Sequence, residues 1–246
     1  MKFLYWDTEA GFYNLEQGEL FRRLDEENDY LDIWELWPFG MSMAGLLTSD
    51  MEEVELWYNP VPEYRIHQPM GLGQVNLLLD TLSQYQDAGY KIFGWNTTGY
   101  DFQHLARLTG RYEECTQLCK QSYDPCFQSL CQQGFPVGLN AVAKLIPGLP
   151  EKEMLGSSAP LLWMTGQWEE VLEYGKNDVV RLEGVVKSIM KRKAIQWVTK
   201  RGGVSLWGLT KFLTVEQCLE QAKSPPHWMK EPINPLASVG WWRDAI

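Results

Sequence analysis

Residues 2–9 of this chain read KFLYWDTE. The apolar residues before Asp7 form a nearly continuous run, which is typical of a β-strand buried on both faces. Asp7 and Glu9 follow at the end of this strand, and residues two apart on a strand point to the same face of the sheet. The stretch therefore predicts a buried strand that ends in two neighbouring carboxylates.

The pair Asp7 and Glu9 admits two interpretations. Carboxylates side by side at the end of a buried strand repel each other and raise each other's pKa, and no Lys or Arg stands beside them in the sequence. A divalent cation would remove this conflict, because hard oxygen ligands suit Mg²⁺ or Mn²⁺. The alternative is a pair that only adds solubility at a strand end, so the pair alone is a weak signal.

Further strands and helices are predicted after this first strand. Apolar runs predict strands at 2–7, 40–48, 53–58 and 91–95, and apolar spacing predicts helices at 72–88, 100–108, 112–120, 125–132, 139–146 and 167–192. This order predicts an α/β domain with a mixed sheet over residues 1–192. Residues 13–37 are interpreted as an insertion or long loop with some helix. Residues 193–246, which are rich in Trp, are expected to form a C-terminal appendage packed on the main domain.

The long predicted helix carries an acidic residue on its apolar face. Residues spaced by three or four share one face of a helix, and here they are Val171, Tyr174, Asp178, Leu182, Val185 and Ile189. Burying an ionised Asp is costly unless it is paired or coordinates a metal. Asp178 is therefore a candidate metal ligand, and the alternative is a buried Asp with an Arg partner or a capping role elsewhere.

A third acidic candidate, Asp101, lies where the strand at 91–95 passes into the next helix. Residues 94–102 read GWNTTGYDF, which brings Asn96 to the end of the sheet and Asp101 into the first helical turn. An Asp in that turn also stabilises the helix dipole by ~0.3–1 kcal/mol. Segment 94–102 alone therefore does not distinguish a metal ligand from an Asp that stabilises the helix dipole.

Together, the three segments resemble the motifs of the DEDD superfamily of 3′→5′ exonucleases, which includes the proofreading exonuclease domains of family B DNA polymerases. The matching residues are Asp7-Thr8-Glu9 for Asp-x-Glu, Asn96 to Asp101 for Asn-x-x-x-(Phe/Tyr)-Asp, and Tyr174 to Asp178 for Tyr-x-x-x-Asp. Glu173 stands where the sister branch has His, so the chain resembles the Tyr branch. The resemblance spans roughly residues 1–190 and is specific at the motifs. It implies an RNase H-like fold with a mixed five-stranded sheet flanked by helices.

The resemblance also implies roles for these residues in a two-metal-ion hydrolysis of phosphodiester bonds. Asp7 would bridge two Mg²⁺ or Mn²⁺ ions, and Glu9 and Asp178 would hold the ion that activates water. Asp101 would support the second ion, partly through water. Tyr174 would position the attacking water by its hydroxyl group.

Substrate-binding residues are expected beside the motifs. Thr8, Asn96 and Phe102 are candidates for holding the 3′-terminal nucleotide, and a base stacked on Phe102 would be stabilised by ~1–3 kcal/mol. Asp124 resembles an acidic residue found between the second and third motifs, where it supports the site. Candidate phosphate contacts are Lys191, Arg192 and Lys193.

The charge distribution is uneven. The net charge is −10, but residues 1–55 carry 14 acidic and 3 basic side chains, while residues 187–201 hold six basic groups and no acidic one. A basic face can therefore exist on an acidic protein and bind phosphates. The alternative for this basic run is a solvated helix end followed by a turn.

The cysteine content and the length of the apolar stretches indicate the cellular compartment of the protein. The five Cys residues in a chain of this length argue against a disulfide framework. Cys115, Cys119, Cys126 and Cys131 cluster without CxxC spacing, so they are either core or surface thiols or, less simply, a zinc site. No secretory signal pattern is present at the N-terminus, and no apolar stretch is long enough to span a bilayer. A cytoplasmic protein that does not use a membrane is expected.

The predicted function is a metal-dependent 3′→5′ exonuclease that acts on single-stranded 3′ ends, with DNA favoured. No polymerase or helicase segment is recognised, so a proofreading role would need a separate polymerase or repair partner. The alternatives are a nuclease-inactive nucleic-acid-binding or scaffolding domain, an RNA-directed exonuclease similar to RNase D, and an RNase H-like endonuclease. The motifs carry no information on oligomeric state.

Overall fold

The computed structural model of the chain describes residues 1–26, 33–59, 68–152, 154–224, 229 and 232–245. In these residues the strands are β1 (Phe3–Gly11), β2 (Gly40–Thr48), β3 (Glu55–Tyr58), β4 (Lys91–Phe93), β5 (Ala194–Val198) and β6 (Val204–Gly208). The helices are α1 (Leu15–Glu26), α2 (Leu72–Asp87), α3 (Asp101–Thr109), α4 (Tyr112–Gln121), α5 (Pro125–Gln133), α6 (Leu139–Ala143), α7 (Ala159–Met164), α8 (Trp168–Arg192) and α9 (Val215–Glu220). Segments of 3₁₀-helix lie at Ile33–Leu36, Gly156–Ser158 and Pro235–Ala245. Within the described ranges, no helix combines the length and the apolar character that crossing a membrane requires.

The main sheet is mixed, with strand order β3-β2-β1-β4. Strand β1 pairs antiparallel with β2 and parallel with β4, and β2 pairs antiparallel with β3. Helices cover both faces of this sheet, so the predicted α/β domain with a mixed sheet flanked by helices is confirmed.

The prediction of a five-stranded sheet is wrong for the residues that the structure describes. At the position of a fifth strand, Tyr123 alone pairs with β4, because its N–H donates to Ile92 (2.8 Å) and its carbonyl accepts from Gly94 (3.1 Å). Tyr123 lies between the end of α4 and Asp124, which caps α5. The connection between these two helices is too short for a longer strand.

The two faces of β1 are directed to different helices. Trp6 packs in a core cluster with residues of α2 and α3, whereas Tyr5 packs in a cluster with residues of α8. Because strand residues alternate between faces, Asp7 and Glu9 lie on the side of α8 and Thr8 lies on the side of α3. This alternation determines which helix completes the site around each side chain.

The C-terminal region contains elements that the sequence did not predict. Strands β5 and β6 form an antiparallel hairpin, with Gly202 in the left-handed region (φ 80°) within its turn. Ile195 of this hairpin is fully buried with the core cluster on the α8 side of the sheet. Trp241 is buried in the cluster on the α3 side. The C-terminal residues therefore pack on the main domain at two places.

The predicted insertion at 13–37 is partly helical. It contains α1 and the 3₁₀ segment Ile33–Leu36, and residues 27–32 lie outside the described residues. Aromatic rings pack this region beside the end of β1, since the ring centre of Phe12 lies 5.7 Å from that of Phe21 in α1 and 5.6 Å from that of Phe39.

Candidate metal centre

Three carboxylates meet at the C-terminal half of β1. Asp7 and Glu9 project from this strand and Asp178 projects from α8, and one oxygen of each lies within 4.8 Å of the others. Glu9 is 8% exposed and Asp178 is 9% exposed, while Asp7 is partly exposed. The grouping joins residues that are distant in the sequence, and it is the cluster that the Asp7–Glu9 pair and the apolar helix face predicted.

Small residues allow α8 to approach the sheet closely enough to deliver Asp178. A Cβ atom placed on Gly175 would lie 2.5 Å from Sδ of Met43, and one placed on Gly45 would lie 2.9 Å from Cγ2 of Val179. Gly45 pairs directly with Asp7 across the β1–β2 ladder. A side chain at Gly45 would therefore collide with α8 at Val179, and one at Gly175 would require the Met43 side chain to move.

Asp101 lies beside these three carboxylates, and hydrogen bonds from Thr8 hold its side chain. It is the first residue of α3 and 2% exposed, and its Oδ1 accepts hydrogen bonds from the backbone N–H (3.0 Å) and the hydroxyl of Thr8. Thr8 points to the α3 side of β1, whereas Asp7 and Glu9 point to the α8 side. Asp101 therefore approaches the cluster from the other side of the strand, with its orientation determined by Thr8.

The electrostatics of the cluster favour proton or cation uptake. Burial is the largest cause that raises the pKa of Asp7 and of Glu9 well above the usual range, and repulsion from Asp101 and Asp178 adds to it. Burial also raises the pKa of Asp101 to about 7, although the hydrogen bonds from Thr8 oppose the shift. Four carboxylates so close together are stable only with bound protons or with positive charge nearby.

Two cations stand near the cluster, and the sequence analysis identified neither of them. Arg181 forms an ion pair with Asp178 on the same helix. Lys152 comes from the loop before α7, and its Nζ lies 5.6 Å from the ring centre of Tyr174. The spacing of Arg181, three residues after Asp178 on the same helix, was a signal that could have revealed it. Lys152 has no comparable local signal.

The ion pair between Asp178 and Arg181 concerns the structural alternative for Asp178, which is a buried Asp with an Arg partner. The carboxylate does have an Arg partner, as a structural role would require. However, one Arg does not neutralise four carboxylates, and the pKa of Asp178 remains raised by burial even though Arg181 lowers it. The ion pair therefore accounts for part of the cost of burying Asp178, and the other carboxylates still require bound protons or further positive charge.

Tyr174 lies one helical turn before Asp178, at the edge of a cleft of about 600 Å³. Its hydroxyl forms a hydrogen bond with the Asp178 carboxylate, and burial followed by repulsion from Glu9 raises its pKa. The hydroxyl is therefore protonated at neutral pH and can donate. Gly156 lies against it, because a Cβ on that residue would be 3.5 Å from the hydroxyl oxygen.

Asp124 organises the loop that contains Asn96. Its carboxylate accepts hydrogen bonds from the N–H of Asn96 (3.0 Å), from the N–H and hydroxyl of Thr98 (3.0 and 2.9 Å), and from the N–H of Phe127 (3.0 Å). These bonds hold Asn96 in the left-handed region (φ 66°) with its side chain exposed. The supporting role predicted for Asp124 agrees with this geometry, and Asn96 stays a candidate for nucleotide binding.

Two predicted substrate contacts have different partners in the structure. Phe102 is fully buried and packs on Trp6 with ring centres 4.9 Å apart, so the prediction that it stacks on a base is wrong. The residue after Asp101 points into the core because α3 packs on the sheet with that side. Thr8 is 4% exposed, and its hydroxyl is bonded to Asp101 instead of facing a cleft.

The basic run lies far from the carboxylates along α8. Lys191 and Arg192 are exposed in the last turn of the helix, and Lys193 follows it. Lys191 stands thirteen positions after Asp178, which corresponds to about 20 Å along the helix axis. Contact between these residues and the phosphate at the cluster is therefore excluded, and contact with a more distant part of a strand stays a prediction.

The cysteines are core residues. Cys115, Cys119, Cys126, Cys131 and Cys218 are all buried free thiols. Among the described residues, the carboxylate cluster alone brings three or more potential metal ligands together, and no Cys belongs to it. Burial raises the pKa of each thiol, as expected for thiols in an apolar core. Of the two interpretations offered for this cluster, the structure supports core thiols.

Comparisons were made with models of protein families and with curated protein sequences. No model of a known protein family matches the chain, and no curated protein sequence matches it.

Proposed function

We propose that this chain is a metal-dependent 3′→5′ exonuclease with an RNase H-like fold, which hydrolyses phosphodiester bonds and releases nucleoside monophosphates. The observation that carries the proposal is the convergence of Asp7, Glu9 and Asp178 within 4.8 Å at the end of the central strand. Asp101 and Tyr174 lie beside them, as the resemblance to the Tyr branch of the DEDD exonucleases implies. Single-stranded DNA is the favoured substrate, and RNA is the alternative.

The donor set fits Mg²⁺ or Mn²⁺. It offers carboxylate oxygens and no thiolate or imidazole, and hard divalent cations take oxygen ligands. Burial and mutual repulsion raise the pKa of Asp7 and Glu9, and a divalent cation would relieve both effects. The residues that would hold two such ions are Asp7, Glu9 and Asp178 directly, with Asp101 in support.

Two divalent ions, when bound, supply polarisation of the phosphate and a more acidic bound water. The chain supplies orientation. Thr8 holds the Asp101 carboxylate toward the cluster, and Asp124 holds the loop that presents Asn96 beside the end of a nucleic-acid strand. The Tyr174 hydroxyl, whose proton is donated to Asp178, would accept a hydrogen bond from the attacking water and so position it next to this carboxylate.

The charges around the cleft beside Tyr174 predict that substrate binding depends on metal. Its lining includes four glutamates, Glu151, Glu169, Glu170 and Glu173. Without cations this acidic rim and the carboxylate cluster repel phosphates. Binding of nucleic acid is therefore expected to require the metal and to weaken as salt rises.

A 5′-labelled single-stranded DNA with Mg²⁺ or Mn²⁺ tests the proposal. We expect a ladder of products that shortens from the 3′ end, and no products in excess EDTA. Asp178→Asn should reduce the rate to background, because it removes one charged ligand and keeps the shape of the side chain. The matched control is Asp87→Asn, which changes an exposed Asp at the end of α2 and should leave the rate unchanged.

The same assay separates the alternatives. Cleavage of an RNA of the same sequence in preference to DNA would favour an exonuclease similar to RNase D. Internal cuts in a circular single strand would favour an endonuclease. Binding of the oligonucleotide without any product in either metal would leave a nuclease-inactive binding domain and would contradict the proposed activity.

A further inference from the structure

Arg181 is a buried cation at the candidate metal centre. Its side chain is 1% exposed, and it is the only buried Lys or Arg among the side chains that the structure describes. The guanidinium pairs with Oδ1 of Asp178, and Nε donates to the carbonyl of Asn177 at 3.3 Å. The guanidinium carbon also lies 5.9 Å from the ring centre of Tyr174. One side chain therefore contacts both residues that α8 contributes to the site.

The location of this charge matters for cation binding. Arg181 pairs with one oxygen of the Asp178 carboxylate, and an oxygen of the same carboxylate lies within 4.8 Å of oxygens of Asp7 and Glu9. The other cation nearby, Lys152, is exposed and interacts at longer range. A divalent ion that binds Asp178 therefore encounters a fixed positive charge on the same carboxylate, and the like charges repel strongly in a poorly hydrated site.

We propose that Arg181 is a resident counter-cation, which holds Asp178 and Tyr174 in place before metal binds and lowers the affinity of the centre for divalent cations. It is a positioning residue, because it acts through Asp178 and Tyr174. The inference rests on the metal centre of the proposed function. It adds that the chain itself limits how tightly the centre binds metal.

Loss of the Arg181 charge has two expected effects, a lower stability of the metal-free protein and a higher affinity for divalent cations. The two together distinguish this role from a purely structural one. Loss of the Arg181 charge leaves the carboxylates less compensated, so the metal-free protein becomes less stable. The same loss makes the centre more negative, so a divalent cation binds more tightly. An ion pair that served only stability would show the first effect without the second.

The experiment measures Mn²⁺ binding by calorimetry or by the electron paramagnetic resonance of free Mn²⁺, on the full chain without nucleic acid. Arg181→Met keeps much of the apolar stem and removes the charge, and we expect it to bind Mn²⁺ roughly tenfold or more tightly than the wild type. Arg181→Lys keeps the charge and should stay within about threefold of the wild type. Thermal unfolding should show a lower Tm for Arg181→Met without metal and a larger rise in Tm on adding Mn²⁺.

Two further variants complete the test. Arg192→Met removes the same kind of side chain from the exposed end of the same helix and should leave Mn²⁺ affinity unchanged. Arg181→Gln gives a second neutral variant that can still donate a hydrogen bond to Asp178, so the comparison survives if Arg181→Met does not fold. Unchanged or weaker Mn²⁺ binding in the neutral variants would overturn the inference.

The outcomes also separate this inference from the proposed function. A wild type that binds no Mn²⁺ would overturn the metal centre and this role of Arg181 with it. A wild type that binds Mn²⁺ but cuts no oligonucleotide would contradict only the nuclease activity. A wild type that binds Mn²⁺ and cuts DNA, with neutral variants of unchanged affinity, would overturn only the role of Arg181.

Discussion

Tyr174 and Asp178 act as a unit at the scale of single residues. They lie one helical turn apart and are joined by a hydrogen bond, and both sit beside carboxylates from β1. A carboxylate that coordinates a metal depends on its hydrogen-bond partners for orientation. The hydroxyl of Tyr174 therefore helps to orient the Asp178 carboxylate, and under the proposed function it would also position the attacking water.

Tyr174→Phe should slow hydrolysis roughly 10–100-fold while Mn²⁺ binding persists, because only a hydroxyl that orients a ligand and water is lost. Single-turnover rates and Mn²⁺ titration measure the two effects. The control is Tyr5→Phe, since the Tyr5 hydroxyl is buried without a hydrogen-bond partner among the described residues. An unchanged rate in Tyr174→Phe would remove Tyr174 from the mechanism.

His104 gives a pH dependence that is independent of the metal centre. It is fully buried among aromatic rings, with its ring centre 4.9 Å from that of Phe39, and burial lowers its pKa to about 3. The unfolded chain binds this proton near pH 6.5. The folded state therefore binds fewer protons, and the stability contributed by the neutral ring is lost as pH falls below about 6.5.

His104→Phe should remove this part of the pH dependence, because the ring remains but no longer titrates. Between pH 7 and pH 5 the wild type should lose about 2 kcal/mol more unfolding free energy than the variant. Urea unfolding of both proteins at several pH values measures the difference. Parallel pH profiles would contradict the assignment of a neutral buried His104.

At the scale of elements, α8 organises the site. It carries Tyr174, Asp178 and Arg181 on the face that packs on the sheet, with acidic residues in its first turn and basic residues in its last. Both sets of charges complement the helix dipole. The dipole thus gives Lys191 and Arg192 a structural role that needs no nucleic acid.

The end of α8 provides a test of stability. Lys193 ends the helix in the left-handed region (φ 53°), where a non-glycine residue is disfavoured by roughly 1–2 kcal/mol. Lys193→Gly should therefore raise the free energy of unfolding by about 1 kcal/mol, as measured by urea denaturation. Lys191→Gly, within the last helical turn, should lower it by about 1 kcal/mol. Equal effects of the two substitutions would show that the backbone at Lys193 is not strained.

At the scale of the whole molecule, the C-terminal residues complete the core. Trp241 is 4% exposed in the cluster that contains Trp6 and Phe102, and its indole N–H donates to the carbonyl of Thr98 at 3.0 Å. Thr98 is also bonded to Asp124. The last segment of the chain therefore supports the loop that carries Asn96 and leads into Asp101.

Trp241→Ala should lower the free energy of unfolding by about 3–5 kcal/mol, because it removes a large buried side chain and a hydrogen bond. Its neighbour Trp242 is only partly buried, so Trp242→Ala should cost less. Chemical denaturation of both variants provides the comparison. A larger loss for Trp242→Ala would contradict the placement of Trp241 in the core.

Apolar patterns in the amino-acid sequence predicted most of the local elements and three of the candidate ligands. Most strand and helix positions from 40 to 192 followed from apolar periodicity, because a side chain's face depends only on its position within its own element. The short helix α7 was not predicted. Asp7, Glu9 and Asp178 could be predicted for the same reason, since each is a charge in an apolar pattern. The short strands β5 and β6 were missed because they have few residues over which a pattern can repeat.

Only the tertiary structure decided how these elements meet. That Phe102 is core and that Thr8 holds Asp101 both depend on which face of α3 packs on the sheet. Lys152 reaches the site through a loop with no local signal. The physical reason is that burial, charge compensation and hydrogen bonding arise between residues distant in the sequence, and their partners are set by packing.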